Sequence, residues 1–249
     1  MGAVRRRREA HPAVDVWLLD AAQDPSALAA ALGPDEVARA RHLGGPAGGR
    51  FILARGLLRA VLAEVSGLPA SGVVLSARCP VCGGPHGPVT VHRPDDPARH
   101  VSITRSGPLI AVALSGSGPV GVDVESALAV HRSPVDAVLL APSDRASRRG
   151  LAPAAAEHHL AALWVRKEAV LKAAGVGLRT PPAQLELHHD RVRLHGLTID
   201  VADLPVPAGL HAAVALARAG TGRWAHERLR ARHVTLHDGS VVLARHLPT

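Results

Sequence analysis

Three segments of the chain recur in the same order in its second half. "VDV" at 14–16 returns at 122–124, "FILARGLLRA" at 51–60 aligns with "WVRKEAVLKA" at 164–173, and "IAVALS" at 110–115 returns as "AAVALA" at 212–217. Similar offsets between successive matches are typical of a duplicated unit with loop insertions. Chance similarity between Ala- and Val-rich strands remains the alternative for any single match, and the shared order argues against it.

Each unit follows one pattern: an edge strand with alternating apolar residues, an amphipathic helix, and a short pair of strands. The pattern predicts an α+β fold of two pseudo-symmetric halves, packed face to face. Helices are predicted at 34–43, 50–66 and 155–174, and Gly175 and Gly177 suit the end of the last one. The stretches 76–99 and 141–154 are rich in Pro, Gly, Ser and Arg and are predicted to be loops.

The boundary between the halves is predicted near Gly116 to Pro119. The stretch "SGSGPVGVDVE" is too short to be a free linker, so residues 1–117 and 118–249 are expected to pack together.

Charge narrows the choice of partners. The net charge is +8 over 249 residues and the sequence pI is about 11.1, which favours nucleic acid, a phosphorylated cofactor or an acidic protein. No apolar run approaches the ~18 residues that span a membrane, and the Arg-rich start, Arg5 to Arg8, does not resemble a signal peptide. Two cysteines are too few for a disulfide framework, so we expect a cytoplasmic protein without a membrane partner.

The segment "GVDVE" places two carboxylates on one face of a predicted strand. Asp123 and Glu125 are two residues apart, so their side chains project to the same side and repel each other. Mg²⁺ between them would relieve that repulsion, because it takes carboxylate oxygens and commonly joins them to a phosphate. A solvated strand end with ordinary acidic residues is the alternative.

The helix "WVRKEAVLK" carries three charges at the edge of a face that ought to be buried. Lys167 lies within the apolar arc, and Glu168 and Lys172 flank it four residues apart. Beside a metal and a polyphosphate both lysines would have a partner. Alternatively, Lys167 extends its ammonium group to solvent, and Glu168 and Lys172 form a surface pair.

Together, "VGVDVE" at 120–125 and "WVRKEAVLKAAGVGL" at 164–178 resemble the two-part signature of the 4'-phosphopantetheinyl transferases, specifically the two-domain surfactin-synthetase-activating type. The resemblance extends more weakly over "DEVARARHL", "GRFILARGLLR" and "VSITRSG". It implies transfer of phosphopantetheine from coenzyme A to a serine of an apo acyl or peptidyl carrier protein, with Mg²⁺, releasing 3',5'-ADP. It also implies a monomer with internal pseudo-twofold symmetry and an active site at the interface of the two halves, and we favour a role in secondary metabolism.

The same resemblance assigns roles to residues. Asp123, Glu125 and Glu168 would hold the metal, and Glu168 would also take the serine proton, directly or through water. Lys172 would neutralise or protonate the leaving phosphate, and Lys167 would be a further phosphate contact. Coenzyme A would also be bound by Arg39, Arg50, Thr104 and Arg105.

Three positions depart from the family pattern. Thr104-Arg105-Ser106-Gly107 replaces Ser-His-Ser-Gly, and the Gly-Lys-Pro turn is replaced by "PHGPV", which has no lysine. The position that is often lysine at the start of the "DEVARAR" helix is Glu36. Arginine can bind a 3'-phosphate at least as well as histidine, so coenzyme A binding can survive the first change. A degenerate homologue without activity therefore remains an alternative.

"CPVCGGPH" could supply half of a zinc site through Cys79, Cys82 and His86, with His92 as the nearest fourth ligand. A pair of free thiols in a loop is the preferred interpretation, because no second C-x-x-C exists. This knuckle and the Arg-rich N terminus also suggest a rival function, a basic nucleic-acid-binding module. Few aromatic residues and an acidic triad argue against it, so no nucleic-acid partner is expected.

Overall fold

The computed structural model describes residues 13–79, 82–84, 87–92, 99–188, 190–219 and 228–246, and the fold is α+β. Its first sheet has the strand order β10-β1-β5-β4. These strands are β1 (Val14–Asp20), β4 (His100–Ser106), β5 (Leu109–Ser115) and β10 (Val234–Asp238). Helices α1 (Pro34–Leu43) and α2 (Gly45–Ser66) follow β1, and a hairpin of β2 (Val74–Ser76) and β3 (Thr90–His92) precedes β4.

The second sheet has the order β6-β9-β8-β7. Its strands are β6 (Val120–Ser126), β7 (Arg191–Leu194), β8 (Leu197–Asp203) and β9 (Leu210–Ala219). Four helices follow β6: α3 (Ala127–His131), α4 (Asp136–Leu139), α5 (Pro142–Arg148) and α6 (Pro153–Ala173). The last helix is α7 (Gly239–His246).

The two sheets share a common core topology. The order β1-β5-β4 in the first half matches β6-β9-β8 in the second, with α2 and α6 in equivalent places. The alignment of 110–115 with 212–217, however, is wrong by three residues. Asp15 pairs with Leu114 and Asp123 with Ala213, so Leu114 corresponds to Ala213 rather than to Leu216. An odd shift would turn every side chain to the opposite face of the sheet.

The faces of the two sheets that point toward each other form a shared core. Val14, Ala113, Val122 and Val214 are among its fully buried members. The outer face of the first sheet packs on α2, and that of the second packs on α6. Because successive side chains point to opposite faces, each strand contributes residues to two cores. Both faces of these strands are therefore apolar.

The predicted boundary at 117/118 lies between β5 and β6, but the end of the chain does not stay in the second half. β10 pairs in parallel with β1, and Val242 and Leu243 of α7 pack in the core beneath α2. The assignment of residues 234–246 to the second half is therefore corrected. Strand β1 would otherwise be an open edge, and β10 covers it.

Helix α1 has the predicted bounds, while α2 and α6 begin a few residues earlier than predicted. Gly175 ends α6 as expected: it has φ +70°, and Val176 N–H donates to Leu171 O at 3.2 Å. The predicted loop 141–154 is wrong, because it contains α5. Within the described ranges, no helix is both long and apolar enough to cross a bilayer.

Candidate active site

Strand β6 lies unusually close to α6, and Gly121 permits this. A Cβ atom at Gly121 would lie 2.0 Å from Ala169 O and 2.9 Å from Lys172 Cβ. Only a residue without a side chain fits there, so the glycine of "GVDVE" sets the distance between strand and helix. The close approach lets Lys172 Nζ donate to Val122 O at 3.0 Å and to Asp123 Oδ1 at 2.7 Å.

Asp123 is buried and held from both halves of the molecule. Thr104 Oγ1 donates to Asp123 Oδ1 at 2.9 Å from β4, opposite the Lys172 contact from α6. Its second oxygen, Oδ2, is buried and accepts no hydrogen bond from any described residue. Ser106 on β4 likewise donates a hydrogen bond to Glu125 Oε2. Strand β4 therefore orients both carboxylates of β6.

Glu168 completes a group of three carboxylates. Burial raises the pKa of Glu168, Lys172 lowers it, and Asp123 and Glu125 raise it further. Burial also raises the pKa of Glu125, the Ser106 hydrogen bond opposes that shift, and Asp123 adds to it. Like charges interact this way only when they are near one another, so the three predicted carboxylates lie in one region, although they are not gathered around one point.

These residues have the donor chemistry of a divalent-cation site. Asp123 Oδ2 and Glu168 Oε1 are both buried without a hydrogen-bond partner among the described residues, and three carboxylates with one lysine leave excess negative charge. In the described part of the chain, no group of three His, Cys, Asp or Glu side chains is already gathered around one point. A hard cation would have to draw the carboxylates closer, while Lys172 and Thr104 can keep their bonds to Asp123 Oδ1.

A cavity of about 530 Å³, the inner cavity, lies between the halves beside this group. Glu168 and Lys172 line it from the second half, and Arg39, Arg55 and Arg105 from the first. The charged side chains of its wall are therefore mostly basic, which favours an anionic ligand. Burial lowers the pKa of Arg105, and the charges of Arg39 and Arg50 lower it further, so Arg50 is also close.

A second space of about 750 Å³, the outer cavity, shares Arg39, Phe51 and Arg55 with the inner one. Phe51, the only phenylalanine, has the guanidinium groups of Arg55 and Arg105 at 5.3 and 5.5 Å from its ring centre. Arg55 is 9% exposed, and its buried Nη1 has no hydrogen-bond partner within the described residues. The sequence interpretation missed Phe51 and Arg55 as wall residues, although the repeat alignment placed Arg55 on Glu168.

Comparison with known families gives a match over a segment that contains part of this site. Residues 119–214 match the model of the 4'-phosphopantetheinyl transferase superfamily. A search of curated proteins finds no match. The matched segment holds Asp123, Glu125, Glu168 and Lys172. The superfamily match supports a transferase that moves phosphopantetheine, while the two-domain subtype stays a prediction.

Lys167 does not face the cavity as the superfamily resemblance led us to expect. Its side chain is 0% exposed; Nζ donates to Leu139 O at 2.9 Å and forms an ion pair with Asp144. The prediction of a phosphate contact is therefore wrong, and so is the alternative of a solvent-exposed ammonium group. A helix turns by about 100° per residue, so Lys167 points away from the side of α6 that carries Glu168.

The structure also shows what the side chains of Thr104 and Glu36 contact. Thr104 is 8% exposed and bonds to Asp123, so it supports the carboxylate and is not on the cavity wall; its predicted contact with coenzyme A is corrected. Glu36, where the superfamily often has lysine, accepts bonds from Gly33 N at 3.0 Å and from Arg59 Nη2 at 2.7 Å. Ser106 was missed as a site residue, although it belongs to the quoted "TRSG" stretch.

His92 is too far along the hairpin to be the fourth ligand of the candidate zinc site. His92 pairs with Val74 at the end of the β2–β3 hairpin away from the loop that carries Cys79 and Cys82. His86 lies outside the described residues, as do Arg5 to Arg8. Cys79 and Cys82 form no disulfide with each other.

Proposed function

We propose that this protein transfers the 4'-phosphopantetheine group of coenzyme A to a serine of an apo acyl or peptidyl carrier protein, releasing 3',5'-ADP. One observation carries the proposal: the inner cavity sets Glu168 and Lys172 of the second half opposite Arg39, Arg55 and Arg105 of the first. Phosphoryl transfer needs positioning and charge neutralisation more than covalent chemistry from the protein. The cavity offers these in one place.

Mg²⁺ is the metal that suits the carboxylates. Asp123, Glu125 and Glu168 would hold it. The unpartnered oxygens of Asp123 and Glu168 and the raised pKa values of Glu125 and Glu168 are the features that a cation would relieve. When bound, it would supply charge stabilisation to the transferred phosphate. Thr104 and Ser106 keep Asp123 and Glu125 oriented meanwhile.

Coenzyme A would occupy the two adjoining cavities. The basic side chains Arg39, Arg55 and Arg105 can pair with its phosphates, with Arg50 beside them. Phe51 lines both cavities, and Arg55 and Arg105 lie beside its ring. The loss of the usual lysine is offset by arginines, which form bidentate contacts with phosphate.

We assign the serine proton to Glu168, because it lines the cavity that a serine must enter and a carboxylate can act as a general base. Lys172, which lines the same cavity and is 28% exposed at its side chain, can neutralise charge on the departing phosphate. The basic surface suits a carrier with acidic residues around its serine.

The deciding experiment is an assay with coenzyme A, Mg²⁺ and several unrelated apo carrier proteins, read by intact mass spectrometry of the carrier. We expect one phosphopantetheine per carrier. Glu168→Gln should lower the rate by about 10²-fold or more, while Glu157→Gln, the same change at an exposed position of α6, should leave it unaltered. No mass increase with any carrier would refute the proposal and favour a degenerate homologue.

A further inference from the structure

Two histidines that the proposed reaction does not use meet between α6 and the second sheet. His158 lies on α6 and is exposed, and His211 lies on β9 and is half-buried. His158 Nδ1 lies 2.9 Å from His211 Nε2. The ring centres are 5.2 Å apart and the ring planes are inclined at 61°, so the rings meet at their edges, where the nitrogens are.

The spacing of the two facing nitrogens suits a metal ion as well as a shared proton. An imidazole nitrogen lies about 2.0 to 2.1 Å from a bound transition-metal ion, so two such ligands at a right angle are about 2.9 Å apart. At the tetrahedral angle of zinc sites, the nitrogens would be about 3.3 Å apart. Square-planar and tetragonal sites, which have right angles, are typical of Ni²⁺ and Cu²⁺. The observed distance of 2.9 Å therefore matches two ligands of one such ion.

Both rings can present the unprotonated nitrogen that a metal ion needs. A neutral imidazole carries one N–H, which can be on either nitrogen. The hydrogen bond between the rings uses one proton, and its transfer to the far nitrogen of the same ring frees both facing nitrogens. Burial lowers the pKa of His211, and the nearby His158 lowers it further, so the His211 ring is neutral at pH 7.

The charges around the pair favour a cation. Asp203 opposes the lowering of the His211 pKa, so its negative charge is close to that ring. Glu125 is the cross-strand partner of His211, and the side chains of such a pair lie on the same face of the sheet. Arg166 donates to both oxygens of Asp203, at 2.7 and 3.2 Å, so Asp203 acts through its charge and not as a ligand.

Water would complete the coordination of an ion at this pair. Among the described residues, no third His, Cys, Asp or Glu is gathered with the two rings. A cavity of about 240 Å³, lined by Asp203 and His211, adjoins the pair and leaves room for water ligands. Imidazole suits Ni²⁺ and Cu²⁺, while Mg²⁺ prefers carboxylate and water oxygens, so the two histidines and the three carboxylates would select different ions.

We propose that His158 and His211 form a binding site for a divalent transition-metal ion of the Ni²⁺ or Cu²⁺ type. The ion replaces the hydrogen bond between the rings and links α6 to β9. Helix α6 carries Glu168, and β9 pairs with the strand that carries Asp123, so the ion joins two elements that position the proposed active site. It takes no part in the transfer reaction.

Calorimetric titration of the full chain with Ni²⁺, with Mg²⁺ in excess to occupy the carboxylates, tests the site. The chain has sixteen histidines, so a His158→Ala, His211→Ala double variant supplies the background. We expect one Ni²⁺ per chain above that background. Loss of an outer-shell partner already costs about 10- to 100-fold in metal affinity, so either single variant should bind at least about tenfold more weakly.

His159→Ala is the matched control, because it removes the adjacent histidine of α6, whose Nε2 lies 3.0 Å from Ser147 Oγ instead of beside His211. Its Ni²⁺ affinity should equal that of the wild type. Three results would overturn the proposal: no Ni²⁺ bound above the background, single variants that bind as tightly as the wild type, or an equal loss in His159→Ala.

Thermal unfolding supplies a second readout that does not depend on transfer activity. Without metal, it shows that each variant is folded. Ni²⁺ should raise the melting temperature of the wild type, because an ion that binds the folded state alone stabilises it, and should leave the double variant unchanged. A rise of the same size in both proteins would place the ion at another site and overturn the proposal. Failure of the carrier assay would leave this result untouched, so the two proposals are tested separately.

Discussion

The buried position of Glu168 suits the proposed site but lowers the stability of the folded protein. Burial raises its pKa above the ordinary value, so the folded state binds the proton more tightly than the unfolded state does. Stability must therefore fall as pH rises through the window between the ordinary and the raised pKa, and the loss persists at neutral pH. A divalent cation would offset it.

Glu168→Gln should accordingly be more stable than the wild type at pH 7 when a chelator is present. The difference should vanish below about pH 4.5, where the unfolded glutamate is also protonated. Urea unfolding of both proteins across this pH range measures it. Added Mg²⁺ should then stabilise the wild type alone. A variant that is less stable than the wild type at pH 7 would contradict the assignment of the shift to burial.

Lys167 is predicted to be a stability residue. Lys167→Met would leave Asp144 buried and without its cation, and breaking such a pair costs about 3 to 5 kcal/mol in the free energy of unfolding. Asp144→Asn in the same chain should recover part of the loss, because no buried charge remains. Arg245→Met, which breaks an exposed pair with Glu64, should cost less than about 1 kcal/mol.

Urea denaturation of these variants supplies the free energies, and calorimetry supplies the affinity for coenzyme A. The affinity of folded Lys167→Met should match the wild type. A stable Lys167→Met protein that binds coenzyme A weakly would support a phosphate contact by Lys167 and contradict the structure.

Local sequence patterns located most of the site residues but could not supply their partners. Alternation put Asp123 and Glu125 on one face of a strand, and helical periodicity put Glu168 beside Lys172, and the structure brings all four together. Periodicity also showed that Lys167 points into an apolar arc. Its partner Asp144 lies 23 residues earlier, in a stretch that was predicted to be a loop. No local sequence pattern predicts a pair between residues so far apart.

At the scale of elements, the contact between β6 and α6 is the feature on which the site depends. Gly121→Ala should place a methyl group 2.0 Å from Ala169 O, so the strand and the helix must separate. We expect a loss of about 1 to 3 kcal/mol in the free energy of unfolding, together with weaker transfer activity because Lys172 moves from Asp123. Gly116→Ala is the matched control, because a Cβ there meets nothing within 4 Å.

Denaturant unfolding and the carrier assay, run side by side, check this prediction. Equal stability and equal rates in both alanine variants would show that the close approach is not required.

Elements with distinctive ends were predicted better than those defined by composition. Helix α1 matched its predicted bounds, and Gly175 ended α6, because caps leave local signals. The match between β5 and β9 failed by three residues because Ala and Val alternate in both, so several registers look equally good. Helix α5 was missed although Pro142 and the Asp144 cap are local signals at its start, because the Pro, Gly, Ser and Arg content of 141–154 favoured a loop; its ion pair with Lys167 leaves no local signal.

At the scale of the whole molecule, β10 and α7 pack on the first half of the chain. Leu243 on α7 is 3% exposed in the core of the first half, so Leu243→Ala should cost about 2 to 5 kcal/mol. Val241→Ala, two residues away and 47% exposed, should be nearly neutral. Neither residue lines the inner cavity, so the transfer rate of folded protein should not change.

Thermal unfolding and the mass assay, applied to both variants, measure these effects. A Leu243→Ala protein as stable as Val241→Ala would show that α7 is not part of the core.

The return of β10 to the first sheet also has a consequence for how the molecule is made. The strand that closes the edge of the first sheet is separated from β1 by more than two hundred residues. A ribosome therefore releases the residues of the first half long before it has added the strand that this half needs. The half that is synthesised first is therefore completed last, because its sheet lacks an edge strand until β10 has been added.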